Sequence, residues 1–143
     1  MAIKQLTVFV ENKPGAVVSV TELLSNNNIN LRALSIAETE EFGILRLIVN
    51  NEKAAEEILS SEGKLFKITE VVGVKIGDAP GKLSEALRVL DQKKINIEYL
   101  YAFMARTEKH AYVVIRVADN AAAEAALTEA GFKMITEADV CKL

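Results

Sequence analysis

Few side chains in this sequence are equipped for covalent or acid–base chemistry. His110 is the only histidine and Cys141 the only cysteine. His110 follows Glu108 and Lys109 in what reads as a hairpin turn, where an exposed turn residue is expected rather than a catalytic base. Cys141 has Asp139 nearby and only Lys142 and Leu143 beyond it, with no partner to activate it as a nucleophile. One cysteine cannot staple a domain, and no Cys/His spacing here could build a zinc site. Glu38, Glu40 and Glu41 read as solvated turn charges rather than an acid–base pair. Arg46 and Arg116 lie in strand-like segments, where each could meet a carboxylate or a ligand, or lay its stem along the core. No nucleophile, base and orienting group come together, so a non-enzyme without metal or cofactor is expected.

The spacing of other residues reveals a repeat. Asn12-Lys13-Pro14-Gly15 recurs 66 residues later as Asp78-Ala79-Pro80-Gly81. At the same offset Ile29-Asn30-Leu31 returns as Ile95-Asn96-Ile97, and Leu24 as Leu90. Gly63 corresponds to Gly131, and Ile68-Thr69-Glu70 to Ile135-Thr136-Glu137, with about two extra residues in the second copy. Those extra residues belong in the hairpin around Ala105–Lys109, since turns tolerate insertion.

Each copy reads as strand, helix, strand, strand, helix, strand. Leu6, Val8 and Val10 alternate with Thr7 and Phe9, a period of two. Pro14-Gly15 ends that strand and opens a helix with Val17, Val20, Leu23 and Leu24 on one face. Leu31–Ala37 and Ile44–Val49 flank a turn at Glu40–Gly43, as in a hairpin. A short helix over about Lys53–Ser61, closed by Gly63, leads to a strand at Phe66–Val71. In the second copy a strand at Val72–Ile76 precedes a helix carrying Leu83, Ala86, Leu87 and Leu90. A hairpin of Ile97–Ala105 and Ala111–Val117, a helix at Ala121–Ala130 and a last strand at Phe132–Val140 follow. This is an α+β order, the split βαβ or ferredoxin-like arrangement: a four-stranded antiparallel sheet with two helices on one face. Two such modules, residues 1–71 and 72–143, are expected, joined without a linker through Val71-Val72-Gly73.

Asn12–Leu31 and Asp78–Ile97 resemble the hallmark of ACT domains: a strand, an (Asp/Asn)-x-Pro-Gly turn, an amphipathic helix and an Ile-Asn-(Ile/Val/Leu) start to the second strand. The resemblance spans essentially the whole chain, twice, and is closest to small stand-alone bacterial proteins of two ACT modules. It implies a protein that binds a free amino acid between modules and regulates an enzyme of amino-acid metabolism in trans. Carried over, the contacts are Asn12, Gly15 and Ala16, or Asp78, Gly81 and Lys82, at the turns. Asn30 and Leu31, or Asn96 and Ile97, would line the facing start of strand two.

Physical chemistry supports such a site. A helix N-terminus offers unpaired N–H groups and the positive dipole end to a carboxylate. Gly15 or Gly81 would let the ligand approach, and Asn12 or Asp78 offers oxygen to its ammonium, Asp78 with a full charge. Each residue also has a purely structural use, because proline suits a first helical turn and Asn or Asp suits a turn or cap. The copies differ at Asn12 against Asp78 and Ala16 against Lys82, so unequal sites are expected.

The formal charge of −3 and the absence of a basic stripe disfavour a nucleic-acid partner. No apolar run is long enough to span a bilayer and no leader pattern opens the chain, so a cytoplasmic protein is expected. Strand two of the second copy alternates Tyr99, Tyr101 and Phe103 with Leu100, Ala102 and Met104, whereas the first copy has Ala33, Ser35 and Ala37. An apolar open sheet face wants a cover, so a homodimer is expected, or two sheets fitted large against small. Competing readings are a ligand-free dimerisation scaffold and an RNA-binding module using those aromatics.

Overall fold

Alternation along the first strand sets the layers. In a computed structural model, which describes residues 2–143, β1 (Ile3–Glu11) turns Leu6, Val8 and Val10 toward two helices, α1 (Ala16–Asn26) and α2 (Glu52–Ser61). It lies between β3 (Phe42–Val49) and β4 (Leu65–Gly77), all antiparallel, with β2 (Leu31–Glu38) outside β3. Val20 and Leu24 of α1 and Ala55 and Leu59 of α2 complete the first core.

The second module repeats the plan around β4. That strand pairs with β1 through Val71 and with β6 (His110–Arg116) from Val72 onward. Beyond α3 (Lys82–Gln92), β5 (Tyr99–Ala102) lies outside β6. After α4 (Asn120–Glu129), β7 (Lys133–Ile135) pairs with the other edge of β4. The expected tandem of ferredoxin-like modules is therefore present, with one 13-residue strand shared between two sheets.

The two sheets turn their helix-free faces toward each other. Ile3, Ala33, Ile48, Val71, Tyr101, Phe103, Val114 and Ile135 form a third core between them. Ala33 bridges Phe103, and the Met104 N–H donates to the Arg32 carbonyl at 2.8 Å. The aromatic face is thus covered by the small residues of the first module, large against small, inside one chain. Tyr101 and Phe103 are 9% and 6% exposed, so they form no stacking platform for bases. The apolar sheet face that called for a cover therefore finds it within the chain and needs no second subunit. Strand β5 is also shorter than the expected Ile97–Ala105, because Phe103 engages β2 as an isolated bridge and Ile97 packs on the second core.

The chain end departs from expectation more sharply. The strand expected over Phe132–Val140 stops at Ile135, and α5 (Glu137–Lys142) follows. Thr136 accepts from the Asp139 N–H, and the Asp139 carboxylate accepts from the Thr136 N–H, a reciprocal cap that starts a helix. At the matching place the first copy has Thr69 followed by Val71 and Val72, and it continues as strand. Helix α5 docks on the first module: Arg32 Nη2 donates to the Cys141 carbonyl at 3.2 Å, and Cys141 Sγ to the Asn50 carbonyl at 3.3 Å.

Helix α2 crowds two carboxylates of its own, and the docked α5 brings a third nearby. Burial, then Glu56, with Glu137 also contributing, push the Glu52 carboxyl up to about 7, against a smaller opposing pull from Lys4. Its Oε1 is buried without a hydrogen-bond partner. The unfolded group ionises near 4.5 and the folded one near 7, so the stability it contributes is full below the first value and is lost as pH rises through the second. Glu52→Gln is expected to raise the thermal midpoint relative to wild type at about pH 8.5, with the difference disappearing near pH 4. Equal midpoints at the higher pH would contradict this account of Glu52.

Candidate functional site

Both Pro-Gly turns are fastened to the hairpin of their own module. The Asn12 N–H donates to the Glu41 carbonyl and its Nδ2 to the Thr39 carbonyl, each at 3.3 Å. The Asp78 N–H donates to the Lys109 carbonyl at 2.9 Å, and Arg106 Nη1 reaches the Asp78 carboxylate at 3.5 Å. Gly15 and Gly81 both adopt φ 87, left-handed backbone that a side chain strains. A Cβ at either would meet nothing within 4 Å, so the conformation, not crowding, demands glycine.

The helices that follow are unlike the other three. Helix α2 is capped by Asn51, α4 by Asp119 and α5 by Thr136, each through a side-chain oxygen. Neither α1 nor α3 has a side-chain cap. The Ala16 and Lys82 N–H groups turn back to the Lys13 and Ala79 carbonyls at 3.3 and 3.2 Å. It is the following N–H groups of each first turn, at Val17 and Val18 or Leu83 and Ser84, that have no side-chain cap and could hold a carboxylate. Two cavities adjoin the first turn. One of about 270 Å³ is lined by Asn12, Val17, Ile36 and Glu38, and one of about 370 Å³ by Phe9, Ala16, Ser19 and Leu65. At the second turn, Lys82 Nζ is occupied 3.3 Å from Glu85.

Asn30, Leu31, Asn96 and Ile97 lie at the far ends of those helices. Each helix has 11 residues, a length of about 16 Å, so within a module the turn and the start of strand two do not meet. The Asn30 N–H donates to Asn50 Oδ1 at 2.9 Å, and the Asn50 N–H returns to the Asn30 carbonyl at 3.1 Å. Leu31 packs on the first core, and Ile97 on the second. Asn96 is exposed and, with Leu87 and Ile95, lines a cavity of about 440 Å³ confined to the second module.

A larger cleft, about 740 Å³, opens between the two sheets, and the sequence did not reveal it. Its floor is a polar network. Gln5, fully buried, accepts from the Tyr101 hydroxyl at 2.6 Å and donates to Tyr99 and Thr7 at 2.9 and 3.0 Å. Burial pushes the Tyr101 phenol well above its ordinary value, with Tyr99 adding and Arg46 opposing, so the hydroxyl stays a donor. The Arg46 guanidinium lies 3.7 Å over the Tyr99 ring. Arg116 donates to the Glu70 carbonyl at 2.8 Å. The available signal was two arginines on strands otherwise apolar; which sheet face they share needs the register.

Fold and turns together define a pair of ferredoxin-like modules joined through one strand, each with an uncapped helix behind a Pro-Gly turn. The chain belongs to the ACT domain pair family, whose model matches residues 1–143. Among solved structures it is similar to protein BT0572 from Bacteroides thetaiotaomicron, at 38% identity and TM-score 0.93, covering 100% of this chain and 98% of that one. It also shares its fold with the ligand-free regulatory subunit of aspartate kinase from Thermus thermophilus, at 17% identity and TM-score 0.64, over 90% and 91% of the two chains. Among curated proteins it is similar to the acetolactate synthase small subunit of Mycobacterium avium, 26% identical over 87 residues, 59% of this chain. The match covers about half of that relative, 52% of its length.

Proposed function

We propose that this chain is an amino-acid-sensing regulator of the cytoplasm, built of modules at residues 1–71 and 72–143, that acts in trans and allosterically on an enzyme of amino-acid metabolism. The observation that carries the reading is the contrast between helix ends: three helices have side-chain caps, while α1 and α3 have none. The ligand carboxylate would take the place of the missing cap on the N–H groups just beyond Ala16 or Lys82. The ammonium would meet Asn12 or Asp78, with Gly15 or Gly81 keeping the approach clear. This is recognition without bond making. The relatives named as an acetolactate synthase small subunit and an aspartate kinase regulatory subunit support a partner enzyme of that kind.

The 16 Å separation also supports a homodimer. Within one module the turn and the start of strand two cannot both touch one ligand, so a site using Asn30 and Leu31 or Asn96 and Ile97 takes them from another module, as a second copy would supply. Leu34 and Ile36 share one face of edge strand β2 and are 40% and 53% exposed, and Ile36 borders the cavity beside Asn12. An exposed apolar strip on an edge strand suits pairing between chains.

A thermal-shift screen against the twenty common amino acids tests the reading. Ligand at one hundred times its Kd should add ~2.7 kcal/mol, a rise of several degrees for a chain of this size. Glycine substitutions would confound the test, because φ 87 makes them destabilising in their own right. Asn12→Ala and Asp78→Ala are the informative variants, since both residues are exposed. At least one should abolish the shift. A folded protein indifferent to every amino acid would instead be the ligand-free scaffold.

A further inference from the structure

The cleft between the sheets is a second, separate place where a ligand could bind. Its two half-buried charges, Arg46 and Arg116, are both positive, while Lys67, Glu70 and Glu98 around them are exposed. Arg46 has no carboxylate partner among the described residues; its contact is the Tyr99 ring, and its Nε is buried without a hydrogen bond. A guanidinium stacked on an aromatic ring keeps its in-plane N–H groups free for a planar anion. The plane is fixed in advance, because Gln5 holds the Tyr99 hydroxyl.

The repeat makes the arrangement informative. Leu47 pairs with Leu6 as Ile115 pairs with Val72, so Arg46 stands where the second module has Val114, and Arg116 where the first has Ile48. Ile48 and Val114 enter the apolar core between the sheets, while both arginines line the cleft. Each module thus contributes one arginine, from non-equivalent positions, to the same space. A half-buried cation without a counter-ion is costly to keep unless something of opposite charge occupies the space.

We propose that the cleft between the sheets binds a small organic polycarboxylate, with Arg46 as its anchor and Arg116 as the second cation, one from each module. The site depends neither on the Pro-Gly turns nor on the amino-acid reading. Bound there, the anion bridges the two modules and stiffens their mutual packing.

The test is an NMR titration of the full chain, following the arginine Nε–H signals, with succinate, glutarate, citrate and inorganic phosphate as probes. At least one carboxylate should move the Arg46 signal saturably at millimolar concentration. Arg46→Gln should weaken that binding at least tenfold, while Asn12→Ala and Asp78→Ala leave it unchanged. Saturation by phosphate alone would overturn the carboxylate assignment. No saturable change from any probe, or equal affinity in Arg46→Gln, would overturn the site. If Arg46→Gln fails to fold, Arg116→Gln serves for the same comparison, and undiminished affinity there would overturn the shared-arginine geometry.

Discussion

Gly73→Val is expected to lower stability by about 3 kcal/mol and to loosen the packing of one sheet on the other. Gly73 sits in the shared strand β4 at the point where the chain passes from one sheet to the other. A Cβ there would lie 3.1 Å from the Cβ of Ile135 and 3.2 Å from Cδ1 of Ile3. Ile3 and Ile135 are 0% and 3% exposed, so neither can move into solvent. Valine adds two further methyl groups to a core that already packs at crystal-like density, and the sheets must separate to accept them. Gly73→Ala, with the Cβ alone, should cost visibly less. Urea unfolding followed by far-UV circular dichroism measures the difference. An unchanged midpoint for Gly73→Val would show that the sheets are not pressed together at this point.

The second large effect belongs to the buried polar network. Gln5→Leu removes three hydrogen bonds and leaves the Tyr101 hydroxyl unpaired in a buried place, a loss of about 3 kcal/mol. Tyr101→Phe removes one of the partners and should cost about 1.5 kcal/mol. The double variant is the diagnostic one. With both polar groups gone, the Gln5–Tyr101 bond leaves no orphaned partner, so the loss should fall short of the two single losses added together. Strict additivity in chemical denaturation would mean that Gln5 and Tyr101 do not share a hydrogen bond. Because this network also fixes Tyr99 beneath Arg46, Gln5→Leu should disturb the cleft as well as the fold.

Much of this architecture was legible in the sequence because it is local. The Pro-Gly turns, the helical spacing behind them and the hairpin turns are set by neighbours a few residues apart. The repeated order of elements then leaves the split βαβ as the natural solution. The turn residues of the candidate site were legible for the same reason. The residues that escaped depend on contacts between distant segments. Ile-Thr-Glu occurs in both copies, yet Thr69 stays in strand β4 while Thr136 caps α5, because Asp139 supplies the reciprocal bond. Tyr101 and Phe103 against Ala33 read as a large-against-small fit between two sheets or two subunits, and only the fold shows that both sheets belong to one chain. Arg46 and Arg116 read as unrelated strand arginines, each free to meet a carboxylate or a ligand or to lay its stem along the core. Only the paired registers of β1 with β3 and β4 with β6 place them on facing sheets.

The separation of Asn12 from Asn30, and of Asp78 from Asn96, bears most on function. It assigns the helix N-termini and the strand starts to different ends of each module, so no single module brings both halves of the expected site together. The charge that distinguishes Asp78 from Asn12 is shared with Arg106, 3.5 Å away, so an ammonium at the second turn would compete with that guanidinium.

The central claim, that an amino acid binds at an uncapped helix end, is tested most directly by mapping backbone amide shifts on titrating the amino acid that gives the largest thermal shift. Saturable changes are expected to cluster at residues 12–18 or 78–84, with the N–H groups of the first helical turn moving most. Changes confined to the cleft around Arg46 and Tyr99, or no saturable change at either turn, would contradict that claim.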